Sequence, residues 1–257
     1  MSISAWLIVL PLLCVHVCSD AAEKQASEMD LDAAIAYIDQ SMVSGPRRID
    51  LGDGAVLTLT KNNCFVGNDA TVRYFRAHGR LADQQLNAGM VFPCGPFANA
   101  EWFVLVTIGH DGHVSENVHG WTADHILEIL QAKATAANAV NKRRGLPGIE
   151  ISGWTIPPVY NSAAHRLAWA AKIKMSCSVN CSSSEMVSYE AVILGRSGYV
   201  DVFTQASQRD FPRQKKIADD IRARISYLPT AEYSDFEPQL DRYAPYDLVG
   251  LLTGSRQ

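Results

Sequence analysis

The order of elements predicts an α+β fold, with a largely antiparallel sheet packed by one long central helix and flanking helices. Three observations predict it. Apolar residues recur at helical spacing in three separated stretches, the longest beginning near Thr122. Between them, short runs of alternating residues follow one another through tight Gly-rich turns. Those turns are too short for the crossover connections that parallel strands require, so neighbouring strands should pair antiparallel.

Taken in order, Leu31, Ile35, Ile38 and Met42 predict a helix over Leu31–Met42, capped by Asp30 and stopped by Ser44-Gly45-Pro46. The polar residues 22–30 before it read as a mobile leader. Arg47–Leu51 and Ala55–Thr60 alternate and flank Gly52-Asp53-Gly54, a hairpin turn whose glycines reach positive φ at little cost. Asp69–His78 reads as a short helix capped by Asn68 or Asp69. Gly89–Pro93 and Trp102–Ile108 read as strands. Trp102, Val104, Val106 and Ile108 share one face, with Phe103, Leu105 and Thr107 on the other. A strand apolar on both faces belongs at the centre of its sheet.

Thr122 caps the long helix and Asp124 sits in its first turn, where negative charge is favourable. Ile126, Ile129, Leu130, Ala137 and Val140 mark its apolar face, and Gly145 and Pro147 end it. Ile149–Ile156 and His165–Met175 are the next strands, separated by a tight turn bearing Pro157-Pro158. Val187–Leu194 and Tyr199–Thr204 flank a second hairpin turn, Gly195 to Gly198. Ile217, Ile221, Ile225 and Leu228 predict a final helix from Asp210 to Tyr227, and Leu248–Leu252 adds a helical turn or two. Residues 31–257 thus read as a single α+β unit, with Gly145 the one place where two lobes could divide.

The chain has 257 residues, 47% hydrophobic and 19% charged, a globular composition with ample material for a core. The net charge is −4 and the isoelectric point about 6.0, which argues against a nucleic-acid partner. The basic Lys142-Arg143-Arg144 cluster faces the negative end of the helix dipole instead. Residues 1–21 read as a signal peptide. Their apolar run, Ala5 to Val17, is shorter than the roughly 20 residues that span a membrane. The mature chain then keeps Cys64, Cys94, Cys177 and Cys181. In an exported protein these suggest disulfides, Cys64 with Cys94 and Cys177 with Cys181, against the alternative of a metal site.

A run of residues resembles a bacterial family of predicted membrane-anchored proteins, domain-of-unknown-function family 2167. They include Leu51-Gly52-Asp53, Trp102-Phe103-Val104, Asp111-Gly112, and Asn141 with Arg143, Arg144 and Gly145. Gly153-Trp154, Pro157-Pro158-Tyr160, His165-Arg166-Leu167-Trp169-Ala170, Tyr189 and Leu194-Gly195-Arg196 continue the pattern. Tyr233, Asp235-Phe236, Pro238, Asp241, Ala244, Tyr246 and Leu248 close it. The resemblance implies an envelope protein and no particular reaction. Such proteins end in a membrane-spanning helix, whereas Val249–Gln257 is too short to span, so a soluble exported form is expected. From Val187 onward the strand–turn–strand–helix order also resembles the small α/β/α sandwiches typified by PsbP.

No G-x-S-x-G elbow, S-x-x-K pair, phosphate-binding loop or dinucleotide glycine motif is present, and no cofactor is implied. The best polar constellation for ligand binding is Tyr160, His165, Arg166 and Asp235. His165 and Arg166 adjoin in sequence, so a strand would send them to opposite faces. That favours His165 as a hydrogen-bonded turn residue and Arg166 in an ion pair. His110 and His113 flank an Asp-Gly turn, with His119 and His125 close behind, and are the candidate metal ligands. Two functions follow. One is a non-catalytic envelope protein that binds another envelope protein or a small ligand. The other is a metal-assisted hydrolase using the histidines around His110 to His125.

Overall fold

The computed structural model describes residues 21–78, 88–118, 121–143, 148–176 and 185–254. The apolar run of the signal peptide, His119, Gly145 and the proposed Cys177–Cys181 pair lie outside them. The described helices are α1 (Ala21–Ser41), α2 (Asn68–Ala77), α3 (Ala123–Arg143), α4 (Phe211–Arg222) and α5 (Leu248–Thr253). The strands are β1 (Val43–Ser44), β2 (Arg47–Gly52), β3 (Ala55–Leu59), β4 (Asn63–Val66), β5 (Ala88–Pro93), β6 (Val104–Gly109) and β7 (His113–Ser115). They continue with β8 (Gly148–Asn161), β9 (Arg166–Ser176), β10 (Glu185–Leu194), β11 (Tyr199–Ser207), β12 (Ile225–Tyr227) and β13 (Tyr243–Asp247).

The fold is α+β. Its main sheet has eight strands in the order β1-β4-β5-β6-β11-β10-β9-β8, every neighbouring pair antiparallel. Central β6 lies between β5 and β11, as its two apolar faces require. On one sheet face, Val104, Val106, Val200, Val202, Tyr189 and Ala191 pack under α4 and the small sheet β12-β3-β2. The other face carries two apolar clusters. Leu167, Trp169, Ala171 and Ile173 meet Ile126, Leu130 and Ala134 of α3. Met90, Phe92 and Leu105 meet Ile38 of α1 and Val72 and Phe75 of α2. Cys64 and Cys94 form a disulfide.

Several elements differ from the sequence expectation. Helix α1 starts at Ala21, ten residues ahead of the predicted start at Leu31. Gly67, not Asn68 or Asp69, caps α2, without a side-chain bond. Pro157-Pro158 do not turn the chain: β8 runs through them with bulges, and the turn falls at residues 162–165. Proline is tolerated there because β8 is an edge strand, where one side of the backbone needs no ladder donor. The last predicted helix ends at Arg222. Ile225–Tyr227 instead pair with Ala55–Leu57, and Leu228 is exposed. Strand pairing overrides a helical spacing that was only fortuitously continuous. Strands β7 and β13 are too short to register as patterns, and they pair in parallel.

The free edge of β8 is covered by side chains of α3. Asn138 donates to the Ile149 carbonyl and accepts from the Ile149 amide, both at 2.7 Å. Gln131 donates to the Ile151 carbonyl at 2.9 Å, and the Trp154 indole donates to the Ala123 carbonyl at 3.0 Å. The amides stand in for a ninth strand.

Candidate functional site

One end of the main sheet gathers the turn after β6, the β8–β9 turn, the β10–β11 hairpin and residues 228–247. Tyr227 and the β12 pairing bring the chain there after α4, and β13 returns it alongside β7. Arg196 anchors the crossing segment: its backbone amide donates to the Ala231 carbonyl, its Nε to Asp241 at 2.8 Å, and an Nη to the Thr230 carbonyl.

Within this end, rings stack in a column. Tyr233 lies against His165 (centroids 4.3 Å apart, planes at 27°) and against His113 (4.1 Å, 28°). Phe236 covers His113 at 3.8 Å and 19°. Tyr243 tilts onto Phe236 at 4.6 Å. Glu116, just past β7, joins two of the predicted ligand residues: the same oxygen accepts from the Tyr160 hydroxyl and from His165 Nδ1. The Tyr233 hydroxyl donates to the Val114 carbonyl at 2.7 Å.

The electrostatics follow from burial. His113 is 6% exposed, and burial lowers its pKa below the ordinary imidazole value. Its Nδ1–H donates to the Arg196 carbonyl at 3.2 Å, which assigns the tautomer of the neutral ring. Burial raises the Tyr160 phenol, and its bond to Glu116 and that residue's charge push the same way. Burial also raises the Tyr233 phenol. His113, Tyr160 and Tyr233 therefore stay neutral near pH 7.

Of the four predicted ligand residues, Tyr160 and His165 come together at Glu116. Asp235 is not with them: its carboxylate accepts from the Glu232 amide and closes a reciprocal capping box on a short turn. Arg166 starts β9 on the opposite face, where burial, and then the charge of Arg222, lower its pKa. The expected ion pair is absent among the described residues, and the buried Arg166 Nε meets no acceptor there. The two predicted metal ligands also part. His110 is hydrogen-bonded to Asp53 in the β2–β3 turn, while His113 is locked in the column. Among the described residues no three His, Cys, Asp or Glu side chains form a metal-binding group. Glu116, Tyr233 and Phe236 are the residues that sequence reasoning missed. Tyr233 and Phe236 were visible as a closely spaced aromatic pair in the tail, but nothing local places them on His113.

Chemically the arrangement is a joint. Each histidine commits its Nδ1 to a hydrogen bond and its ring face to aromatic neighbours. Neither His113 nor His165 is hydrogen-bonded to a serine, threonine or cysteine side chain among the described residues.

A family model described as "Protein of unknown function (DUF2167)" matches residues 43–257. No curated protein matches the chain. Among solved structures, cyanobacterial PsbP from Synechocystis is similar over 73% of this chain and 93% of its own, with TM-score 0.43 and 10% identity. PA94 from Pseudomonas aeruginosa, a protein of unknown function, is similar over 58% of this chain and 89% of its own, with TM-score 0.29 and 11% identity.

Proposed function

Because the chain belongs to the DUF2167 family of proteins of unknown function, we propose that it is an exported cell-envelope protein that binds a partner and performs no reaction of its own. The observation that carries this reading is the ring column. Its histidines, tyrosines and Glu116 are engaged with one another, while Leu240 and Tyr243 beside it are 75% and 54% exposed. Exposed apolar groups rimmed by Arg196, Glu237 and Asp241 suit an envelope protein or a small ligand as partner. Residues 31–257 form the single α+β unit that presents this surface.

Export is supported by the Cys64–Cys94 disulfide and by the apolar run at residues 5–17. No described helix is long and apolar enough to cross a membrane. Metal-assisted hydrolysis through His110 and His113 is the competing reading, and it would require both imidazoles to leave their present partners. Two measurements separate the readings. Metal analysis of the purified chain is expected to show no stoichiometric metal. A photo-crosslinking side chain at Leu240 or Tyr243, in living cells, is expected to give a discrete adduct that the same group at Lys216 does not. A bound metal lost on His110→Ala plus His113→Ala would reverse the assignment.

A further inference from the structure

The Cys64–Cys94 bond joins two sulfurs in unlike surroundings. Cys64, in β4, is fully buried, in the apolar cluster that holds Ile38, Phe75 and Phe92. Cys94 is the residue after β5 and is exposed. The ground beside it is open: a side chain added at Gly95 would meet no atom within 4 Å, and Pro96 is exposed as well. Ser44 of β1 places its hydroxyl 3.3 Å from Cys64 Sγ, and since the bonded sulfur carries no hydrogen, the hydroxyl is the donor. The backbone holds the two cysteines side by side independently of the bond. Strands β4 and β5 pair from Asn63 with Pro93 to Val66 with Met90, and the Cys94 amide donates to the Asn62 carbonyl at 3.0 Å. Just beyond, the Phe97 amide donates to Asp39 of α1 at 2.8 Å.

A thiolate opens a disulfide by bonding one sulfur and expelling the other, and access helps decide which sulfur is attacked. Here that sulfur belongs to Cys94, because Cys64 is out of reach of solvent. We propose that Cys94 is a site of reversible thiol modification, at which a small thiol forms a mixed disulfide while Cys64 departs and later resolves it. The incoming thiolate bonds Cys94 Sγ, the bond to Cys64 breaks, and its electron pair stays on Cys64 Sγ. The Ser44 hydroxyl then donates to that thiolate and offsets part of the cost of leaving it buried. Reversal needs no outside oxidant: Cys64 attacks Cys94 Sγ and expels the thiol. The pairing of β4 with β5 keeps the two sulfurs close throughout, so the exchange is a local event of the folded chain. The site stands whether or not the ring column binds a partner.

The test incubates the oxidised, folded chain with reduced glutathione, quenches early with acid, traps free thiols with N-ethylmaleimide and maps the adducts by peptide mass spectrometry. Glutathione on Cys94 and maleimide on Cys64 are expected, at a rate that rises in proportion to glutathione. A second measurement uses the single variants. Free Cys94 in Cys64→Ser should be alkylated by iodoacetamide about tenfold or more faster than free Cys64 in Cys94→Ser. Glutathione on Cys64, an even split between the two, or no adduct overturns the proposal. So does a rate that levels off as glutathione rises, since the chain would then have to open before the bond is attacked. Equal alkylation of the two variants counts against it in the same way.

Discussion

At the scale of single residues, the strongest tension lies at Asp201. It is 6% exposed on the α3-facing side of β11, one step diagonal to buried Glu190 on β10. Its Oδ2 lies 3.5 Å from Thr107 Oγ1, and its Oδ1 has no partner among the described residues. Burial pushes this carboxyl up to about 7 from 3.8. Between those values the unfolded chain has lost the proton and the folded chain keeps it. Stability therefore falls as pH rises through that window and levels off above it. Asp201→Asn should flatten the profile and raise the melting temperature at pH 7.5 by several degrees, at about 2–4 °C per kcal/mol for a chain this size. Melting curves from pH 4 to 8 check it; a variant whose curve simply runs parallel to the parent's would refute the assignment. The sequence displayed Asp201 only as a polar residue in an alternating strand. It is buried between β6 and β10 in the middle of the main sheet, which no local pattern reports. His165 lies just outside β9, in the turn at residues 162–165 with φ near +50°, so strand alternation does not set where it points. The sharing of Glu116 was not legible either, since Glu116 is 44 residues from Tyr160.

At the scale of elements, the hairpins and the long helix were read closely, because turn glycines and capping residues act locally. The Thr122 hydroxyl accepts from the His125 amide at 3.2 Å, as a cap does. What local rules could not supply was the treatment of the β8 edge. Exposed edges invite pairing with other chains, and bulges, prolines and covering groups discourage it. Here Asn138 and Gln131 fulfil that role from α3. Asn138→Leu should cost about 1–3 kcal/mol by stranding the Ile149 amide and carbonyl. It should also raise the tendency to associate. Urea unfolding and light scattering would measure both, with Ala136→Leu on the exposed face of the same helix as control. Equal stability in the two variants would remove the edge-guarding role.

At the scale of the whole molecule, one sheet runs from β1 to β8 and joins residues on both sides of 145 through the β6–β11 pair. Antiparallel α+β architecture was legible in the order of short turns. The closing parallel pair β7–β13 was not, because its strands are three and five residues long and its cause is long-range. The Cys64–Cys94 bond ties β4 to the end of β5 across a separation of 30 residues and encloses α2. Reduction, or replacement of both cysteines by serine, should remove about 3–4 kcal/mol by freeing that loop in the unfolded chain. Urea curves with and without reductant give the value, and an unchanged midpoint would contradict it.

The ring column has a consequence in time. A ribosome makes His113 and Glu116 more than a hundred residues before it makes Tyr233 and Phe236. Until the latter arrive, His113 has no neighbours to stack on, and the strand it begins has no parallel mate. The column is thus assembled last, from the middle and the final part of the chain. An interrupted chain carries an unfinished seam at the place where the complete one is closed.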